Sequence, residues 1–326
     1  MSYEIAETTV DLELNSADTT EIDELARALC AGPRDQVDDP EWVARARRSW
    51  DALPRPLRRG VREFRRHSGV RGTLTIKGLP VDEARLPATP STPDSVQRVA
   101  TVSAAVLTML ACGLGDPAAY LAEKSGALVQ DVVPVRGKET FSGNAGSVLL
   151  TFHNENAFHQ HEPDYVLLLC LRADHDQVAG LRTACLREVL PLLTAASREA
   201  LFAPEFITAP PPSFSSDGEA RAPKPLLSGS VEDPDIRMAT IATTPLTARA
   251  EAALTEFGQA CNTVAHITRL APGDLVIVDN RVTVHGRTAF TPRYDGADRW
   301  VQRTFAIADL RRSRDHRPED GYIIAR

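Results

Sequence analysis

Hydrophobic positions at helical spacing dominate the first third of the chain. Thr19 and Thr20 are placed to cap a helix running to Leu29, and Asp39–Pro40 opens a second in which Trp42, Val43, Ala46 and Trp50 share one face. A third, almost wholly apolar helix is predicted over 96–114. Between them TLTIKGL at 73–79 alternates loosely, which predicts a strand. From residue 127 the texture changes to short runs rich in Val, Leu, Thr and Phe: ALVQDVVPV, SVLLTFH, DYVLLLCLR, HITRLAPGDLVIVDNRVTVHG and RWVQRTFAIADL. Pro272-Gly273-Asp274 marks a turn between two of these strands. Helical periodicity returns at 185–202 and 247–260, and a stretch rich in Pro, Ser and Gly at 209–225 reads as a mobile cover over a site. Strands that do not alternate regularly with helices argue against a doubly wound parallel sheet. The expected fold is mainly β with flanking helices, an antiparallel sandwich or jelly roll.

Composition narrows the function class. The 326 residues are 43% hydrophobic and 25% charged, the balance of a globular protein with a large core. A net charge of −7 offers no footprint for nucleic acid, and the basic runs at 45–48 and 311–314 read as solvated faces. Cys30, Cys112, Cys170, Cys185 and Cys261 are odd in number and widely spaced, so they read as reduced thiols. The acidic start lacks a secretory pattern and the longest apolar run is too short to span a bilayer, so a cytoplasmic protein without membrane contact is expected.

The chemistry concentrates in TFHNENAFHQH at 151–161. On a strand His153 and Glu155 would point the same way and grip one side of a metal ion. With 8 histidines and 44 acidic residues such a pair also arises by chance, so a third donor is needed. His285 in DNRVTVHGRTAF supplies one on another predicted strand, giving the two histidines and one carboxylate of non-heme Fe(II) oxygenases. Arg299, on the strand RWVQRTF, is placed to clamp the far carboxylate of 2-oxoglutarate, and Arg303, an even number of residues on, can meet a second carboxylate. His159, His161 and Glu162 form a competing cluster, whereas His67, His175, His266 and His316 have no partners at ligand spacing. GNAGS at 143–147 lacks the lysine or helix that phosphate binding requires.

The stretches EKSGALVQDVVPV, GNAGS, LLTFHNENAFH, PDYVLLLCLRADH, VDNRVTVHGRTAFTPRYDG and DRWVQRTF resemble, over nearly the whole chain, the clavaminate-synthase-like branch of Fe(II)/2-oxoglutarate oxygenases. The likeness is strongest to its free-amino-acid β-hydroxylases of peptide-antibiotic pathways. It implies a double-stranded β-helix (jelly-roll) oxygenase core in one domain spanning 1–326, with a mostly helical part over 1–115, the core over 116–326 and a lid near 207–221. It also implies Fe(II), with 2-oxoglutarate and O2 as cosubstrates. His153, Glu155 and His285 match the iron ligands and so the catalytic centre, and Arg299 the 2-oxoglutarate clamp. Glu123 matches the acid that holds the substrate α-ammonium, Arg303 the base for its α-carboxylate, and Asn144 a residue meeting the side chain. The branch members that act on asparagine carry an Asp toward the substrate amide where this chain has Ala239. Alanine removes that acceptor and admits a side chain that is larger, less polar or itself anionic. A carboxylate at 155, rather than a small residue, favours hydroxylation over chlorination.

The expected activity is therefore β-hydroxylation of a free L-amino acid, asparagine or a relative. The alternatives are the same chemistry on a carrier-bound amino acid or another side-chain carbon, a metal-dependent cupin-like hydrolase or isomerase, and a non-catalytic binding module.

Overall fold

The computed structural model describes residues 11–32, 35–214 and 222–325. A short strand β1 (Leu12–Glu13) leads into helices α1 (Ser16–Leu29), α2 (Pro40–Trp50) and α3 (Arg55–Arg66), then strand β2 (Thr73–Lys77) and helix α4 (Val102–Leu114). The next strands are β3 (Asp116–Tyr120), β4 (Gln130–Val132), β5 (Leu150–His153), β6 (Tyr165–Arg172) and β7 (Gly180–Cys185). Helices α5 (Leu186–Val189) and α6 (Ala195–Leu201) follow, then short strands β8 (Phe206–Thr208), β9 (Leu227–Gly229), β10 (Pro234–Ile236) and β11 (Thr243–Pro245). Helix α7 (Ala248–Val264) precedes the closing strands β12 (His266–Arg269), β13 (Leu275–Asp279), β14 (Thr283–Arg287), β15 (Trp300–Ile307) and β16 (Ile323–Ile324).

Local chemistry explains most boundaries. Asp39 caps α2 by accepting from the Glu41 amide at 2.8 Å, and Trp42, Val43, Ala46 and Trp50 are its buried face, as the spacing predicts. The first helix starts earlier than the Thr19–Thr20 cap, because Asn15 accepts from the amides of both Ala17 and Asp18. The apolar helix begins only at Val102, where Thr101 caps it; residue 96 instead makes an isolated bridge to Gln130. Helix α3 is a helix that apolar patterning alone missed. Its Leu57, Val61 and Phe64 are buried at helical spacing, but six arginines surround them. The 185–202 segment breaks in two, since Cys185 ends β7 and Thr194 caps a new helix after Pro191.

The strands form an eight-stranded sheet, in the order β1-β2-β13-β6-β15-β3-β16 with β4 paired to β15, and a four-stranded sheet β12-β7-β14-β5. Thus 1–115 is not only helical: β1 and β2 extend the large sheet through β13. Alternation places Leu167, Leu169 and Leu171 of β6 with Leu275 and Ile277 of β13 against α1–α4, each fully buried aliphatic side chain contributing about 1.5–3 kcal/mol. Their neighbours Val166, Leu168, Val276, Val278, Val301 and Phe305 pack with Leu181 of β7, so the two sheets face each other across an apolar interior. Both faces of β6 are covered, which is why its sequence is a continuous apolar run. On the four-stranded sheet Phe152, Ala184 and Val284 point outward to α5–α7, leaving the alternate residues for the interior. Among the described residues the strand ladders remain two principal sheets and two short pairs rather than a closed barrel. All five cysteines are free, and no described helix is long and apolar enough to cross a membrane.

Candidate active site

Strands β5 and β14 pair antiparallel with His153 directly opposite His285. Outward-facing Phe152 and Val284 fix the alternation, so both imidazoles enter the space between the sheets, their ring centroids 4.5 Å apart. Glu155 reaches them differently from the strand geometry expected: β5 ends at His153, and Glu155 sits in the turn beyond, before Asn156 at φ 52°. Two asparagines hold that turn. Asn280 accepts from the Glu155 amide at 2.9 Å and donates to the Glu155 and Pro163 carbonyls at 3.1 and 2.9 Å. Asn154 donates to the Asn280 and Thr283 carbonyls and accepts from the Met238 amide at 3.0 Å. Their role has little local signature in the sequence beyond the Asp279-Asn280 pair ahead of the His285 strand. Replacing Asn154 by Ala strands three buried backbone groups. Urea unfolding is expected to show a loss of about 1–3 kcal/mol, and direct titration a roughly 10- to 100-fold weaker affinity for the metal.

One donor atom from each of His153, Glu155 and His285 lies within 4.8 Å of the others. His153 Nδ1 is 2.9 Å from the Thr151 carbonyl, an arrangement that puts the proton on Nδ1 and leaves the Nε2 lone pair free. Burial, followed by the nearby His285, pushes His153 down to about 4, so it is neutral at neutral pH. Burial opposes ionisation of Glu155, but Arg303 and the two histidines outweigh it and hold the carboxyl below its usual range. Two imidazoles and an ionised carboxylate form a donor set that fits Fe(II).

Arg303 occupies the same interior from β15 at 2% exposure. Its Nη1 donates to Glu155 Oε1 at 2.6 Å, and its Nη2 donates to both Glu123 and Gln130. Asn156 adds a 3.4 Å bond to Glu123. The two charged residues expected to hold an amino acid, Glu123 and Arg303, are therefore in contact with each other, and Arg303 also with Glu155. Burial lowers the arginine's proton affinity but Glu155 and Glu123 more than restore it, so it stays cationic.

Arg299 lies one residue before β15, and a bulge falls between Trp300 and Val301, so counting even spacing along one regular strand does not describe its relation to Arg303. It is half-buried, with its guanidinium 5.9 Å from the Phe290 ring centre, and burial lowers its proton affinity. Arg287 of β14 also lies over Phe290, at 5.0 Å. Asn144 is half-buried on the loop between β4 and β5. Ala239 makes an isolated antiparallel bridge to His153, which brings it beside the metal donors.

The competing cluster does not assemble. Glu162 turns to Arg237 at 2.5 Å, and burial pushes its carboxyl up to about 8. His161 lies tilted against His316 with ring centroids 4.9 Å apart, and His159 lies edge-on to Tyr120. His175 and His266 do have partners, supplied from far along the chain: His175 Nε2 meets Asp295 at 3.0 Å with Asp298 on the other ring nitrogen at 4.0 Å, and His266 meets Glu188 at 3.1 Å. One donor atom from each of His175, Asp295 and Asp298 also lies within 4.8 Å of the others, a second cluster able to hold a metal ion, with Asp295 exposed and Asp298 buried. Of the expected lid, β8 pairs with β11 and Phe214 packs edge-on against Phe158 at 4.9 Å and Tyr120 at 6.0 Å. Residues 215–221 lie outside the described residues.

Comparison with known proteins agrees with this arrangement. Residues 226–305 match the taurine catabolism dioxygenase TauD, TfdA family. The chain is 58% identical to L-asparagine oxygenase of Streptomyces coelicolor over 96% of this chain and 94% of that protein. It is 34% identical to clavaminate synthase 2 of Streptomyces clavuligerus, over 79% and 80%. The crystal structure of asparagine oxygenase in complex with Fe(II), (2S,3S)-3-hydroxyasparagine and succinate superposes with a TM-score of 0.94 at 58% identity, covering 97% of this chain and 99% of that one. The chain is thus an iron- and 2-oxoglutarate-dependent dioxygenase, and it belongs to the TauD/TfdA family in its clavaminate-synthase-like branch.

Proposed function

We propose that the protein hydroxylates a free L-amino acid at its β-carbon, in the biosynthesis of a peptide antibiotic. The observation that carries this is the bonded chain from Glu123 through Arg303 to Glu155, which sets an acid and a base for the two charges of an amino acid against a metal donor. We take 1–326 as one oxygenase domain, with 1–115 bracing a core over 116–326, the facing sheets as halves of a double-stranded β-helix, and the lid near 207–221.

In this reading His153, Glu155 and His285 hold Fe(II), and Arg299 receives the far carboxylate of 2-oxoglutarate. When bound, the ion with 2-oxoglutarate and O2 supplies an oxidant able to break a C–H bond, 2-oxoglutarate leaving as succinate and CO2. The chain's part is positioning. Glu123 accepts from the α-ammonium and Arg303 donates to the α-carboxylate, so both charged groups, each two bonds from the β-carbon, are held at an arginine that also touches Glu155. Because Arg303 divides its guanidinium among Glu155, Glu123 and Gln130, an arriving carboxylate exchanges for one of these partners. Ala239, bridged to His153, and Asn144 border the side-chain end. A carrier-tethered amino acid has no free α-carboxylate and would leave Arg303 without that exchange.

The test is succinate release with Fe(II), 2-oxoglutarate, ascorbate and a panel of free L-amino acids, followed by mass analysis for one added oxygen. Coupled turnover of a free amino acid is expected; turnover of a carrier-bound thioester alone would contradict the reading. Ala239→Asp is expected to raise kcat/KM for asparagine relative to the other substrates by about 10-fold or more, as a buried amide donor regains an acceptor.

A further inference from the structure

We infer that Arg287 is a second cationic residue of the cosubstrate pocket, forming with Arg299 the site for the far carboxylate and selecting a dicarboxylic 2-oxo acid over a monocarboxylic one. The inference rests on the proposed role of Arg299. Arg287 follows His285 by two residues on β14, and Val284 between the sheet and α5–α7 fixes which face is outward, so Arg287 projects inward on the same side as His285. On β15 the order is reversed: Arg303 lies at the metal donors and Arg299 beyond the strand start. The interior therefore has the donors and Arg303 at one level, and Arg287 and Arg299 over the shared Phe290 ring at the next.

The two levels differ in how charge is balanced. Arg303 at 2% exposure is met by two carboxylates. Arg287, at 4% exposure, donates from Nη2 to the Val148 carbonyl at 2.9 Å, while its Nε is buried without a partner. Among the described residues neither Arg287 nor Arg299 has a carboxylate within ion-pair distance. A buried guanidinium beside a half-buried one, with no counter-charge for either, is costly, and a ligand carboxylate offsets that cost. The unpaired N–H marks where it would be received. The chemistry recognised is a carboxylate at the end of a short acyclic chain whose other end reaches the metal donors.

The experiment compares Arg287→Gln, Arg287→Lys and Arg299→Gln. Arg287→Gln is expected to raise the KM for 2-oxoglutarate about 10- to 100-fold while leaving the KM for the amino acid and the affinity for Fe(II) unchanged. Calorimetric titration of succinate and butyrate into the same proteins reads the site without turnover. The wild type should prefer succinate, and the preference should collapse in Arg287→Gln. An unchanged KM and preference in Arg287→Gln, beside their loss in Arg299→Gln, would overturn the inference and leave Arg287 as a support for Val148. No effect in either variant would instead overturn the assignment of this end of the interior to 2-oxoglutarate. If Arg287→Gln does not fold, Arg287→Lys decides: a several-fold loss of succinate affinity supports the site and none contradicts it.

Discussion

Replacing Arg303 by Met is expected to abolish turnover and to destabilise the protein by about 3–5 kcal/mol, because it leaves Glu155 and Glu123 buried without their cation. The expected fall in kcat/KM is at least about a thousandfold, since the substrate carboxylate loses its charge-assisted bonds and the metal donor loses its support. Chemical denaturation and steady-state kinetics on the one variant read both effects. The pH dependence follows from the same contacts. Glu155 has a folded-state pKa below its ordinary value, so its contribution to stability is present above the ordinary carboxylate range and is lost as the pH falls through the folded value. In Arg303→Met burial alone remains to act against ionisation, and stability should respond to acid at a higher pH than in the wild type. A variant with full activity and unchanged stability would show that Arg303 is neither a substrate base nor a partner of Glu155.

Glu155→Ala has the other large expected effect. It cuts three donors to two and removes the only carboxylate among them, so Fe(II) affinity should fall by more than the roughly 10- to 100-fold typical of losing a supporting residue. Hydroxylation should become undetectable. Unlike Arg303→Met, this change leaves Arg303 paired with Glu123 and Gln130, so the loss of stability should be smaller. Equilibrium metal binding and denaturation together separate the two variants; equal stability losses would mean that Glu155 depends on Arg303 no more than Arg303 depends on Glu155.

Much of this site was legible in the residues, though not always for the reason the sequence suggested. The pair His153 and Glu155 does converge, yet through a turn held by Asn280 rather than through strand alternation. Asn280 comes from a distant part of the chain, and nothing local in HNE names it. Helix α2 could be read because its cap, its Pro40 and its apolar face all agree locally. Helix α3 could not, because its short apolar face sits within an arginine-rich background that pattern counting reads as solvent. Strand β6 was visible as an apolar run, while which of its residues face the helices became clear only once both sheets were in place. The partners of His175, the bridge between Ala239 and His153, and the meeting of Arg287 with Arg299 over Phe290 are all products of tertiary folding. Spacing along the chain carries no trace of them.

The most direct test of the account is anaerobic titration of Fe(II) into the metal-free protein, with and without 2-oxoglutarate, in the wild type and in Glu155→Ala and Arg299→Gln. The account predicts one ion per chain in the wild type, bound more tightly when 2-oxoglutarate is present, with binding lost in Glu155→Ala and the effect of 2-oxoglutarate lost in Arg299→Gln. Undiminished one-to-one binding in Glu155→Ala, or coupling to 2-oxoglutarate that survives in Arg299→Gln, would contradict it.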